Sequence, residues 1–162
     1  MIFVGAGGLR LVLSKRPAEE MLRFRQLKDT DPEAGGVLLG RILCGNEDVI
    51  VDDVTEPTAQ DRASRFNFFR NKKSTQLAVD GAWSVSDGTC IYLGEWHTHP
   101  EDDPHPSTRD MSNWQRILRT ARFEQRWLFF LIVGRKQTKA WIGDRKNATI
   151  KPLAGSSADT PL

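Results

Sequence analysis

His97, His99 and Asp110 are the residues whose types and spacing point most directly to chemistry. The two imidazoles stand two apart in Gly94-Glu95-Trp96-His97-Thr98-His99-Pro100, and on an extended chain residues two apart project to one face. Asp110 closes Ser107-Thr108-Arg109-Asp110, where Ser107 reads as a helix N-cap and Asp110 as a residue of the first turn. Two imidazoles and a carboxylate converging from a strand end and a helix start make a three-ligand zinc site. A position is left for water, as hydrolytic zinc requires. Competing readings exist for each piece. Histidines at strand spacing can simply be packed, Ser-x-x-Asp is a common helix start, and two histidines with a carboxylate also hold the iron of oxygenases. All three histidines of the chain fall between positions 97 and 105, in a stretch crowded with Pro and Asp, and that concentration favours a metal site. His105, Asp102 and Asp103 are placed on its rim. Glu95 is read as lying off the His97 face, at most a partner to one imidazole. Trp96 points the opposite way and is assigned to the core.

These side chains need a strand, a stop and a returning helix. Ile91 to Trp96 is β-prone and apolar, Pro100 cannot continue a central ladder, and Glu101 to Pro106 reads as a loop. Met111, Trp114, Ile117, Leu118 and Ala121 then mark the buried face of a helix, opposite Arg109, Arg116, Arg119 and Arg122, which read as solvated. Upstream, Met1–Val4 and Leu9–Leu13 flank a glycine-rich turn as a hairpin. A helix follows from the N-cap Ser14 to about Asp29, with Met21, Leu22, Phe24 and Leu27 on its apolar side. Gly35–Cys44 and Asp48–Glu56 read as a second hairpin with a turn at Gly45-Asn46 and Glu33 at its entry. A polar, mobile stretch covers Thr58–Ser64, and Arg65–Arg70 is a short strand. Leu77, Ala78, Gly81, Ala82 and Val85 recur at helical steps as a buried face, ended by Asp87-Gly88. Trp127–Val133, Lys139–Ile142 and an edge strand over Ala148–Leu153 complete a domain spanning 1–153, and 154–162 reads as a flexible tail. The order predicts an α/β (α+β) domain with a curved, mixed, mostly antiparallel sheet flanked by helices.

A chain of 162 residues suits one domain with a sizeable core. A net charge of +2 is too small to argue for nucleic acid. No apolar run approaches the ~20 residues that span a bilayer, and no signal peptide is indicated. Cys44 and Cys90 fall in the expected strands and read as buried free thiols. The expectation is a cytoplasmic protein acting on neither nucleic acid nor membrane.

The string His97-Thr98-His99-Pro100, six residues, then Ser107-Thr108-Arg109-Asp110 resembles the signature of the JAMM/MPN+ zinc metalloprotease family. The upstream part of that signature, Glu-x-x-Gly-x-x-x-Gly, is matched by Glu33-Ala34-Gly35-Gly36-Val37-Leu38-Leu39-Gly40. The resemblance implies an MPN, cytidine-deaminase-like fold with Zn2+ held by His97, His99 and Asp110. It implies Glu33 as general base and Ser107 as hydrogen-bond donor to the developing oxyanion, its hydroxyl proton pointing into the site. Without it, Glu33 would be an ordinary loop carboxylate. Within the family, the sequence is similar to the compact bacterial JAB deconjugases of CBASS antiphage operons. That implies an isopeptidase or peptidase cutting after the C-terminus of a ubiquitin-like-conjugated protein, a cGAS-like nucleotidyltransferase, beside a cognate activating and conjugating enzyme. Thr58–Asn71 and Glu101–Pro106 occupy the family's variable positions and would flank the bound tail. The alternatives are a JAB protease that processes a sulfur-carrier or other ubiquitin-like precursor, and a non-catalytic MPN scaffold.

Overall fold

The structure, a computed structural model, describes residues 1–45, 48–121 and 124–156. It opens with the hairpin β1 (Ile2–Val4) and β2 (Arg10–Leu13), followed by α1 (Lys15–Leu22). β3 (Gly35–Ile42) and β4 (Val49–Val54) form a second hairpin, β5 (Arg62–Ser64) and β6 (Asn67–Phe69) a separate third. Then come α2 (Lys72–Val85), β7 (Ile91–Thr98), α3 (Thr108–Thr120), β8 (Trp127–Val133), β9 (Thr138–Asp144), β10 (Thr149–Pro152) and β11 (Ala154–Ser156). Among the described residues, nine strands hydrogen-bond in the order β10-β9-β8-β7-β3-β4-β2-β1-β11. Pairing is parallel at β2/β4 and β7/β8 and antiparallel elsewhere, the mixed sheet expected from the element order.

The parallel pair β7/β8 explains where the site forms. A tight turn cannot join parallel neighbours, so the chain must cross over, and α3 is that crossover. The end of β7 therefore passes by a short loop into the start of α3, next to a strand end where α/β proteins commonly bind ligands. β8 lies inside, with Phe129, Leu131 and Val133 packed into the cluster on one face and Leu128, Phe130 and Ile132 into the cluster with Trp114, Ile117 and Leu118 of α3. Burial on both faces explains its unbroken apolar run.

Two glycines let the backbone through. Gly94 sits at an irregularity in the β3/β7 register with φ of 144°, and a Cβ there would lie 1.8 Å from the Phe129 carbonyl oxygen. A Cβ on Gly36 would lie 2.0 Å from the Thr55 carbonyl oxygen and 2.7 Å from Trp96 Nε1.

Several local expectations are corrected. α1 ends at Leu22 and Ser14 makes no side-chain cap bond. Leu27, expected on its apolar side, is 61% exposed, and Gln26 occupies the interior instead. Cys44 lies in an exposed turn after β3, and Cys90 is a half-buried residue just before β7; both are free, and neither lies in a strand. Asn46 and Arg122 lie outside the described residues. Arg62–Ser64 is not loop but β5. α2 begins earlier than its apolar residues suggest, because Asn71 caps it by accepting from the Lys73 and Ser74 N–H groups. Its supposed buried face is largely outside, with Leu77 64% and Val85 90% exposed. The expected edge strand stops at Pro152, and after the break at Leu153 a separate strand, β11, pairs with β1, so 154–156 is sheet; 157–162 lies outside the described residues.

Candidate metal centre

β7 delivers the imidazoles. His97 and His99 face each other with their Nε2 atoms 3.1 Å apart. Trp96, between the facing directions, is buried in the other face and donates to the Thr55 carbonyl. α3 delivers Asp110. Ser107 is the N-cap, and a complete capping box holds the turn: the Asp110 N–H donates to Ser107 Oγ at 3.1 Å, and the Ser107 N–H to Asp110 Oδ2 at 2.7 Å. The same carboxylate places Oδ1 at 3.3 Å from His97 Nε2 and Oδ2 at 3.4 Å from His99 Nε2. Glu33 arrives from the loop before β3, buried, with its carboxylate and the two imidazole nitrogens all within 4.8 Å of one another.

All five residues singled out in the sequence therefore meet at one place. The Ser107 hydroxyl differs from expectation: it donates to Asp110 Oδ2 at 2.6 Å and does not point into the open site.

The donor set suits a metal ion. Donors at about 2.0–2.1 Å from a tetrahedral ion are separated by roughly 3.3 Å along each edge. The His97 and His99 Nε2 atoms, 3.1 Å apart, are close to that edge, and each faces its own Asp110 oxygen, Oδ1 at 3.3 Å from His97 and Oδ2 at 3.4 Å from His99. The fourth group, Glu33, stands beside them.

Surroundings push the two carboxylates apart. Burial raises the Glu33 pKa and Asp110 adds to the effect; His97, His99 and Arg109 oppose it, and the net direction is up. Burial also works against the Asp110 charge, but hydrogen bonds and charge from the two imidazoles, with the Ser107 hydroxyl, hold that carboxyl far below its usual range. For His99, burial disfavours the cation, while Asp110, Glu33 and Glu101 favour it, and the result is a raised value.

The cluster lies in a groove of about 730 Å³ between β6, α2 and α3. Phe66, Phe68 and Phe69 form part of one wall and Ile117 part of the other. Arg109, expected to be merely solvated, links the walls: it donates to Asn67 Oδ1 and its guanidinium lies 5.1 Å from the Phe69 ring centre. Glu95 does share the His97 face, and its carboxylate binds Arg70 and accepts from the Tyr92 hydroxyl at 3.3 Å, so it is no partner of an imidazole. His105 is exposed on the rim, its Nε2 3.2 Å from Lys139 Nζ.

Sequence reasoning missed the residues behind the site. Thr98, between the two histidines, accepts the Ala34 N–H at Oγ1 (2.9 Å) and donates to Gln26 Oε1 (3.0 Å). Its place inside His-x-His was the only available signal, and Gln26 carried none.

A sheet-and-helix domain built around a histidine–carboxylate cluster that could hold a metal ion is the class this fold and site define. A family model described as prokaryotic homologs of the JAB domain matches residues 15–144, and the chain belongs to that family. A CD-NTase/cGAS isopeptidase of Pseudomonas aeruginosa is 40% identical over 125 residues, 77% of each chain. A protein of the same name from Vibrio cholerae is 34% identical over 150 residues, covering 93% of this chain and 91% of that one. The solution structure of a protein from Desulfitobacterium hafniense shares the fold, with a TM-score of 0.59 and 23% identity over 89% of this chain and 90% of that one.

Proposed function

We propose that this protein is a zinc-dependent isopeptidase of the JAMM type that releases target proteins conjugated through the C-terminus of a cGAS-like nucleotidyltransferase. The observation that carries the reading is the meeting of Glu33 with His97 and His99, both facing the Asp110 carboxylate, at the groove, in a chain whose relatives are named CD-NTase/cGAS isopeptidases.

Zinc held by His97, His99 and Asp110 would polarise the scissile carbonyl and acidify a water molecule. Asp110 is suited to be the ligand because it stays ionised. Glu33 is suited to carry a proton because burial draws its pKa up from the ordinary carboxylate range. It accepts the proton of the attacking water as the new carbon–oxygen bond forms. It then donates that proton to the lysine amine as the carbon–nitrogen bond breaks, leaving a carboxylate on the nucleotidyltransferase tail. Ser107 turns its hydroxyl from Asp110 toward the developing oxyanion, an interaction whose loss typically costs ~10²–10³ in rate. The extended, ubiquitin-like tail lies in the groove beside the β5–β6 hairpin, whose strand edge offers backbone hydrogen bonds. The setting is the cytoplasm, alongside the activating and conjugating enzyme that makes the conjugate.

The test is a reporter joined by a peptide bond to the C-terminus of a cGAS-like nucleotidyltransferase, followed by intact mass. Cleavage after the terminal residue is expected with zinc-loaded protein. Glu33→Ala should bind zinc normally and lose turnover by ~10²–10⁴. Wild-type turnover in that variant removes Glu33 as the base. No cleavage by the zinc-loaded protein moves the assignment to a sulfur-carrier or other ubiquitin-like precursor.

A further inference from the structure

Gln26 is fully buried while its neighbour Leu27 is 61% exposed, the reverse of what burial of apolar area favours. A buried primary amide is tolerated only if its donors and acceptor are used, and here they are. Nε2 donates to the Arg65 carbonyl at 2.7 Å and to the Asp31 carbonyl at 3.1 Å, and Oε1 accepts from the Thr98 hydroxyl at 3.0 Å. The partners fix the amide's orientation, because two of them are carbonyls that can only accept. They also fix the Thr98 hydroxyl, which accepts from the Ala34 N–H at 2.9 Å and so must send its own proton to Gln26. Thr98 and Ala34 meet a second time, Thr98 N–H to Ala34 carbonyl, at 2.8 Å.

These bonds join the parts of the site that come from distant stretches of chain. Thr98 sits between His97 and His99; Ala34 follows Glu33; Asp31 begins the loop that carries Glu33; Arg65 lies in the β5–β6 hairpin at the groove wall. The Glu33 N–H donates to the Ser64 carbonyl at 2.8 Å, tying the same loop to the same hairpin. One side chain thus spans the carboxylate loop, the imidazole strand and the groove wall.

We propose that Gln26, acting through Thr98, is a positioning residue that sets the placement of the Glu33 carboxylate relative to the His97–His99 pair. The proposal rests on the reading of Glu33 as the general base. Gln26 touches neither imidazole, so removing it leaves His97, His99 and Asp110 able to hold zinc. What changes is the aim of Glu33, and supporting contacts of this kind typically change activity by ~10–100-fold.

The full-length zinc-loaded protein is compared with Gln26→Met, which keeps length without hydrogen bonds, and with Thr98→Val, Thr98→Ser, the double variant Gln26→Met/Thr98→Val, Glu33→Gln and the surface control Leu27→Ala. Zinc stoichiometry, turnover of the nucleotidyltransferase–reporter fusion and hydrogen exchange at the Ala34 amide are measured well below the unfolding midpoint. In Gln26→Met and Thr98→Val, zinc content should be unchanged, kcat lower by ~10–100-fold, and KM within about twofold of wild type. Exchange at Ala34 should rise about tenfold. The double variant should lose little more than the worse single one, because the pair acts as a unit. Thr98→Ser should restore most of kcat.

Wild-type kcat in Gln26→Met, or unchanged exchange at Ala34, overturns the proposal. So does a loss of kcat matched by an equal loss of bound zinc, which would make Gln26 a support of the ligands. If Glu33→Gln keeps turnover, the reading of Glu33 falls, and Ala34 exchange with zinc content still decides whether the network holds that loop. If wild type leaves the fusion uncut, the same two measurements decide.

Discussion

Glu33 and Asp110 stand beside the same two imidazoles, and what separates them is their own contacts. Asp110 has the Ser107 N–H and hydroxyl as well as both imidazoles, whereas burial dominates at Glu33. Asp110→Asn, which keeps shape but removes charge, should lower zinc occupancy at least ~10-fold in a competition titration, and unchanged affinity would take it out of the ligand set. The pH dependence follows from His99. Its folded pKa lies above the ordinary 6.5, so the charged form contributes stability to the metal-free protein that is present below about 6.5 and is lost as pH rises through the folded value. Metal requires the neutral ring and competes for that position with the proton. Zinc affinity should therefore rise between about pH 6 and pH 8, by up to about tenfold per unit for each proton displaced. Equal affinities at the two ends would show that His99 binds no proton in the metal-free site.

Among the elements, β3 and β7 tolerate the least change, because they carry Glu33 and the histidines edge to edge. Their register pairs Gly35 with His97 and Gly36 with Trp96. Gly36→Ala would drive a methyl group into the Thr55 carbonyl and the Trp96 ring, so β3 must shift away from β4 or β7. A loss of about 2–4 kcal/mol in denaturant unfolding is expected, at the upper end for overpacking, and a loss below about 0.5 kcal/mol would mean that the strands part easily. The strand, the stop at Pro100 and the capped helix were readable from the sequence because each depends on neighbours in the chain: alternation, a missing N–H, a Ser-x-x-Asp box. Three features were not. α2 shows helical spacing at Leu77, Gly81 and Val85, but periodicity reports that residues share a face and cannot say that the face is covered. β5, Arg62-Ala63-Ser64, is exposed throughout and exists through pairing with β6. Gln26 resembles any polar residue after a helix until the partners at positions 31, 65 and 98 are brought to it.

For the molecule as a whole, the most telling distance in sequence is a single residue. β10 closes one end of the nine-stranded sheet and β11 the other, with Leu153 between them. The sheet must curl until its two ends nearly meet, and Leu153 fastens the seam by burying its side chain and donating its N–H to the Ala140 carbonyl at 2.9 Å. Removing residues 154–162 should strip β11 from β1 and lower stability by roughly 1–2 kcal/mol, at about 1 kcal/mol per backbone hydrogen bond lost. A denaturation midpoint identical to that of the full chain would show that β1 needs no partner on that side. The seam also orders events in time. On a ribosome β1 is made well before β11, the strand that covers its outer edge. Glu33 likewise waits for β7 before any imidazole exists to meet it. Such long-range pairing folds slowly and leaves strand edges open meanwhile. A nascent chain that has not reached β7 has the Glu33 carboxylate without the imidazoles, so the cluster of Glu33, His97 and His99 assembles only once both hairpins, β1–β2 and β3–β4, have been made.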